Sequence, residues 1–172
     1  HRVGDMGWII HRQARLYAEE HGWNDEFEAL VAEITAKFIR NFNPECERCW
    51  VAEMDGEVVG AVFLVRDSDE VARLRLLHVD AKARGQGLGR RLVEECIRFA
   101  RAKGYKTLTL WTNDILVAAR RIYEAAGFKL VAEEKEALDP AIPDLPLIID
   151  AWRIAQDGTM EGGFGDFEPR VG

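Results

Sequence analysis

The chain has 172 residues, 23 lysines and arginines against 30 aspartates and glutamates, and 48% hydrophobic residues. This is the profile of one globular domain with its own core, not of a disordered or fibrous chain. No apolar run reaches the roughly 20 residues a bilayer-spanning helix needs, and no signal-peptide pattern opens the chain. Three cysteines are too few for a disulfide framework, so the expectation is a reducing, cytoplasmic setting. A net charge of −7 disfavours a nucleic-acid surface and favours a cationic small substrate. Because the first residue is His1, the chain is expected to be a piece of something longer.

In chain order, Met6, Trp8 and Ile10 alternate and admit a short first strand. Arg12 to His21 reads as a helix stopped by Gly22, and a second helix opens at Asp25, where Asp25 and Glu28 have capping-box spacing. Its apolar stripe is Phe27, Leu30, Val31, Ile34 and Phe38. Asp55-Gly56 between two β-rich runs predicts a hairpin. A further strand covers Val71 to Val79. A glycine-rich turn then leads into an amphipathic helix over about Leu88–Lys103, with its stripe on Leu88, Leu92, Val93, Cys96, Ile97 and Ala100. Thr107 to Trp111 alternates as a strand, Val117 to Ala126 as a helix ended by Gly127, and Phe128–Ala132 and Leu147–Ile154 as two last strands. Residues 1–156 form the domain and 157–172 a loose tail. The order gives an α/β (α+β) domain with a mixed sheet.

The chemistry-bearing stretch is Leu77-His78-Val79-Asp80-Ala81-Lys82-Ala83-Arg84-Gly85-Gln86-Gly87-Leu88-Gly89-Arg90-Arg91. Strand, glycine turn and helix start follow one another, and glycine lets free backbone N–H groups approach an anion closely. Arg84, Arg90 and Arg91 add positive charge, so a phosphate or pyrophosphate is the expected guest. A Walker A loop would need Lys-Ser/Thr after its last glycine, and a dinucleotide fingerprint needs a different glycine spacing. Neither fits.

Arg84-x-x-Gly87-x-Gly89 resembles the acetyl-CoA pyrophosphate loop of the GCN5-related N-acetyltransferase (GNAT) superfamily. Ala119-x-x-x-Tyr123-x-x-x-Gly127-Phe128 resembles that superfamily's fourth helix and following strand. The ordered series spans residues of roughly 50 to 154. More loosely, the chain resembles the acetyltransferase half of fusions to MarR-type winged-helix regulators, which implies a longer chain with a DNA-binding domain. The resemblance implies a mostly antiparallel sheet of about six to seven strands with about four helices, splayed between the fourth and fifth strands.

It also implies that acetyl-CoA lays its pantetheine arm in the splay, against Leu77, His78 and Val79, as an added strand. Its pyrophosphate would rest on Arg84, Gly85, Gln86, Gly87, Leu88, Gly89 and Arg90, with Ala119 and Arg120 beside the cofactor. An amine acceptor would attack the thioester directly, and Tyr123 would act as general acid, a phenol being protonated at neutral pH. Packing in the stripe of Ala119 and Ile122 is the other role open to Tyr123. Many relatives carry an Asn where this chain has Leu116, and Asn113 stands three residues earlier. No general base is singled out among Asp69, Glu70, His78 and Asp114.

The function implied is acyl-CoA-dependent N-acyl transfer to a primary amine, acetyl being the expected group. A longer acyl donor and a non-catalytic acyl-CoA-binding module are the alternatives, and fold alone does not choose between them. Polyamine, amino acid, antibiotic, peptide N-terminus and lysine all stand as acceptors. A homodimer is one option for assembly, whereas nucleic-acid and membrane partners are not expected. Cys46-x-x-Cys49 lacks a second pair and reads as structural rather than as a redox or zinc site, and no metal is expected.

Overall fold

The computed structural model describes residues 1–136 and 147–155, with 134–136 and 147–152 described by backbone alone. The expected tail over 157–172 lies outside the described residues. β1 (Arg48–Met54) and β2 (Glu57–Arg66) form the expected hairpin. Asp55 and Gly56 both have positive φ, 53° and 78°, as a two-residue turn matched to the strand twist requires. β3 (Val71–Val79) runs antiparallel to β2, and β4 (Thr107–Asn113) runs parallel to β3. β6 (Leu147–Ala155) lies antiparallel between β4 and the outer strand β5 (Lys129–Glu136). The sheet order is β1-β2-β3-β4-β6-β5.

One face of the sheet carries α3 (Leu88–Ala102) and α4 (Val117–Ala125). Leu92, Val93, Cys96, Ile97 and Ala100 of α3 pack with Ala72 and Leu74 of β3 and with Leu108 and Leu110 of β4. Each large apolar side chain sealed there contributes about 1.5–3 kcal/mol. The other face carries α1 (Asp5–His21) and α2 (Asp25–Asn41), where Met6, Ile9 and Phe38 close over Ala61 and Phe63 of β2.

Two expectations fail at this N-terminal layer. The opening residues are helical, not a strand, because Met6, Ile9 and Gln13 recur at steps of three and four and share one buried face. The alternation of Met6, Trp8 and Ile10 is incidental to that period. The cap of α2 is Asn24, whose side chain accepts from the Glu26 N–H at 3.2 Å, so Asp25 lies inside the first turn.

β3 and β4 pair only from Val71↔Thr107 to Leu74↔Leu110 and then part. With no strand at the start of the chain, this splay falls between the third and fourth strands, one earlier than expected. Just past the last rung β3 is bulged. Phe63 opposes Arg75 and Ala61 opposes His78, leaving Val62 across from both Leu76 and Leu77. Leu76 adopts φ 50°. The extra residue shifts the alternation by one. Ala72 and Leu74 face α3 before it, Leu77 and Val79 face α3 after it, and Leu76 and His78 turn toward α1.

Candidate active site

β3 ends where the Asp80 N–H donates to the Val59 carbonyl at 2.7 Å. A 3-10 turn, Ala81–Ala83, follows, and then Gly85 and Gly87 at φ 75° and 74°. Gly87 is the N-cap of α3 and supplies no side-chain cap. The first backbone bond of the helix start runs from the Arg91 N–H to the Gly87 carbonyl at 3.1 Å. The N–H groups of Leu88, Gly89 and Arg90 precede it without intrahelical acceptors, so the positive end of the helix dipole is open to an anion. A Cβ on Gly87 would meet nothing within 4 Å, whereas one on Gly89 would come within 2.8 Å of the Ile122 side chain. Gly87 is therefore needed for its backbone angle, whereas a side chain at Gly89 would displace the tip of Ile122.

From this helix start a cleft of about 420 Å³ runs into the splay. Leu77, Val79 and Leu88 line one side, and Leu116, Ala119 and Ile122 the other. The third side is the C-terminal half of α1, through Leu16, Tyr17, Glu20 and His21. Arg84 bridges the mouth. Its Nε donates to the Val79 carbonyl at 3.3 Å, and its two terminal nitrogens donate to Glu20 at 2.7 and 3.3 Å. The Val79 carbonyl therefore faces the gap and not β2.

Of the expected residues, Leu77, His78, Val79 and Arg84 meet at the cleft, as do Gly85, Gly87, Leu88, Gly89, Arg90 and Ala119. Three do not line it. Gln86 folds back onto the Lys82 carbonyl at 3.4 Å. Arg120 approaches Glu133 of β5 at 4.0 Å. Tyr123 is buried behind Ala119 and Ile122, with its ring edge on Phe128 at 5.9 Å between centroids. Burial pushes the Tyr123 phenol far above its ordinary pKa, with the nearby Tyr17 phenol adding to the effect. Tyr17, on the opposite side of the splay, is itself raised to about 12 by burial.

His78 is 4% exposed, and both of its ring nitrogens are sealed without a hydrogen-bond partner. Burial lowers its pKa to about 4, so the ring is neutral. It stacks edge-on to Trp8 of α1 at 5.8 Å. Beside it, Arg12 donates to Asp80 at 2.8 Å and Gln13 to the Leu76 carbonyl at 3.2 Å, which fixes α1 to the bulge. Of the other groups weighed as bases, two are engaged in ion pairs and one is half-buried. Asp69 pairs with Arg66, Glu70 pairs with Lys106, and one carboxylate oxygen of Asp114 is sealed. Asn113 uses its side-chain oxygen to accept from the Ile115 N–H at 3.1 Å. Sequence reasoning missed Leu16, Tyr17 and Glu20 as walls of the cleft. Their three- and four-residue spacing along α1 was the available signal.

A sheet that opens into a cleft ending on an uncapped helix N-terminus defines the fold of acyl-CoA-binding transferases. The chain belongs to the acetyltransferase (GNAT) family, whose model matches residues 10–128. It is 33% identical over 118 residues to the N-acetylaspartate synthetase of Danio rerio, covering 68% of this chain and 41% of that protein. It is 38% identical over 113 residues to human N-acetyltransferase 8B, covering 62% and 50%. The chain thus spans about half the length, or less, of these curated relatives. The fold is shared with a GNAT acetyltransferase from Elizabethkingia anophelis solved with acetyl-CoA bound, at TM-score 0.61 and 18% identity over 72% of this chain and 82% of that one. The expected kinship with MarR-type regulator fusions gives way to these N-acetyltransferases.

Proposed function

We propose that this domain is an acetyl-CoA-dependent N-acetyltransferase that passes the acetyl group directly to a primary amine. The observation that carries the reading is the end of β3–β4 pairing at Leu74↔Leu110, which leaves a gap continuous with the open first turn of α3. The fit of the donor rests on hydrogen-bonding groups along the gap. The diphosphate meets the Leu88, Gly89 and Arg90 N–H groups, and the amide-bearing arm meets the edge of β3 at Val79. There it takes the place of the Arg84 Nε that donates to the Val79 carbonyl at 3.3 Å. The apolar walls at Leu77, Leu116 and Ile122 exclude water from the thioester.

The acceptor's nitrogen attacks the thioester carbon from the α1 face, and the carbon–sulfur bond breaks as the tetrahedral adduct collapses. CoA leaves as the thiolate, and the proton that the new amide nitrogen sheds passes to water. Released CoA thiolate, with an ordinary thiol pKa of about 8.5, is a weaker base than a phenolate. Tyr123, held neutral far above that value, is the protonated group we assign to the departing sulfur, a role that requires its hydroxyl to be reached past Ala119 and Ile122, which stand between it and the cleft. This refines the general-acid role. The test is thiol release from acetyl-CoA across a panel of amines, beside calorimetric titration with acetyl-CoA. Amine-dependent release supports the reading. Tight binding without release from any amine would favour a binding module instead, and no binding would remove the donor.

A further inference from the structure

The last paired rung of β3 and β4 is Leu74↔Leu110, so Arg75 and Trp111 are the first residues past the apex of the gap. With the diphosphate at Gly85–Arg90, an extended donor arm places its acyl end at this apex. Arg75 opposes Phe63 on the antiparallel ladder, and opposed residues share a face. Phe63 is fully buried against α1 and α2. The Arg75 side chain therefore lies on the α1/α2 face, opposite α3, where the acceptor approaches.

Arg73, two residues back on the same face, is engaged. Its guanidinium sits over the Trp111 ring at 4.4 Å and pairs with Asp67 at 2.9 Å. Arg75 makes no hydrogen bond or ion pair with any described residue, and it is partly buried. Burial, with Arg73 adding, holds it below the ordinary guanidinium range. Arg153 opposes Thr109 on β4, and Lys129 opposes Arg153, which puts two more exposed cations on this face. These cations stand out in a chain of net charge −7.

We propose that Arg75 anchors a carboxylate of the acceptor, with Arg73, Arg153 and Lys129 shaping a positive field around it, so that the acceptor is a small amine bearing a carboxylate, of the amino-acid kind. This rests on the reading of the gap as the thioester site. A guanidinium fork matches a carboxylate bidentately, and a carboxylate on the carbon next to the amine leaves the nitrogen at the apex. The same positive field disfavours the ammonium form of the acceptor and so favours the neutral, nucleophilic amine.

The test uses glycine, aspartate, lysine and phenylalanine, each beside its α-carboxamide, with wild type, Arg75→Gln and Arg75→Lys. Thiol release and calorimetric binding to the CoA-loaded protein are both read, with acetyl-CoA affinity as the check on folding. The expected result is that at least one free amino acid outperforms its amide and that Arg75→Gln raises its KM about 10- to 100-fold, with partial rescue by Arg75→Lys. Amides performing as well as free acids, or Arg75→Gln performing as wild type, would overturn the carboxylate anchor and leave the transferase standing. Arg75-dependent amino-acid binding without thiol release would keep the anchor and remove the transferase.

Discussion

Leu74 and Leu110 face each other as the last paired residues of two parallel strands that then separate. Both are buried against α3, so the strands are held together by core packing up to that rung and released immediately beyond it. The bulge at Leu76 and Leu77 sits directly past the rung and increases the twist that carries β3 away. The cleft is therefore a property of the core's edge, fixed before any ligand arrives.

Gly87 caps α3 at φ 74°, a conformation that costs an L-residue roughly 1–2 kcal/mol. Gly87→Val is expected to shift this turn, misalign the three open N–H groups and weaken acetyl-CoA binding by at least about tenfold. Calorimetry on the folded variant measures it. Unchanged affinity would move the diphosphate elsewhere.

Tyr123→Phe keeps the ring packed on Phe128 and removes only the hydroxyl. Acetyl-CoA affinity is expected to stay within about twofold, while kcat falls by about 100- to 1000-fold, the range of a single hydrogen-bond donor to a reacting group. An unaltered kcat would leave Tyr123 a packing residue.

His78 gives the protein an acid sensitivity. Its pKa is about 4 in the fold against an ordinary 6.5, so the unfolded chain binds the extra proton between these values. Stability is full above about pH 6.5 and declines as pH falls toward 4, by roughly 3 kcal/mol for this group. Asp80, held below its usual range despite burial by Arg12, loses its share only at lower pH. Thermal midpoints between pH 7 and 4 should flatten in His78→Phe. A wild-type-like slope in that variant would assign the sensitivity to other groups.

Much of this architecture was legible because its signals are local. Asp55-Gly56 forces a hairpin, the stripe from Leu92 to Ala100 forces α3, and the glycines at 85, 87 and 89 mark the anion turn. What stayed hidden depends on tertiary context. Nothing about Leu76 announces a positive φ, and only the pairing of Phe63 with Arg75 and Ala61 with His78 reveals the extra residue. Arg73 and Arg75 stood in plain view within Val71–Val79, two arginines at alternate positions of an apolar strand. Their significance required knowing which face they share and where β4 departs. Tyr123 was placed correctly in the helix, but its depth behind Ile122 and Ala119 belongs to the packing of α4 on α3.

The most direct test of the central claim is residue-resolved amide hydrogen exchange with and without acetyl-CoA. Val79 and Leu77 have no partner on β4, and a donor arm lying in the gap should slow their exchange markedly, together with that of Leu88, Gly89 and Arg90. Leu74, already paired with Leu110, should change little. Binding of acetyl-CoA without new protection at Leu77 and Val79 would contradict the account, because the splay would then not be where the donor lies.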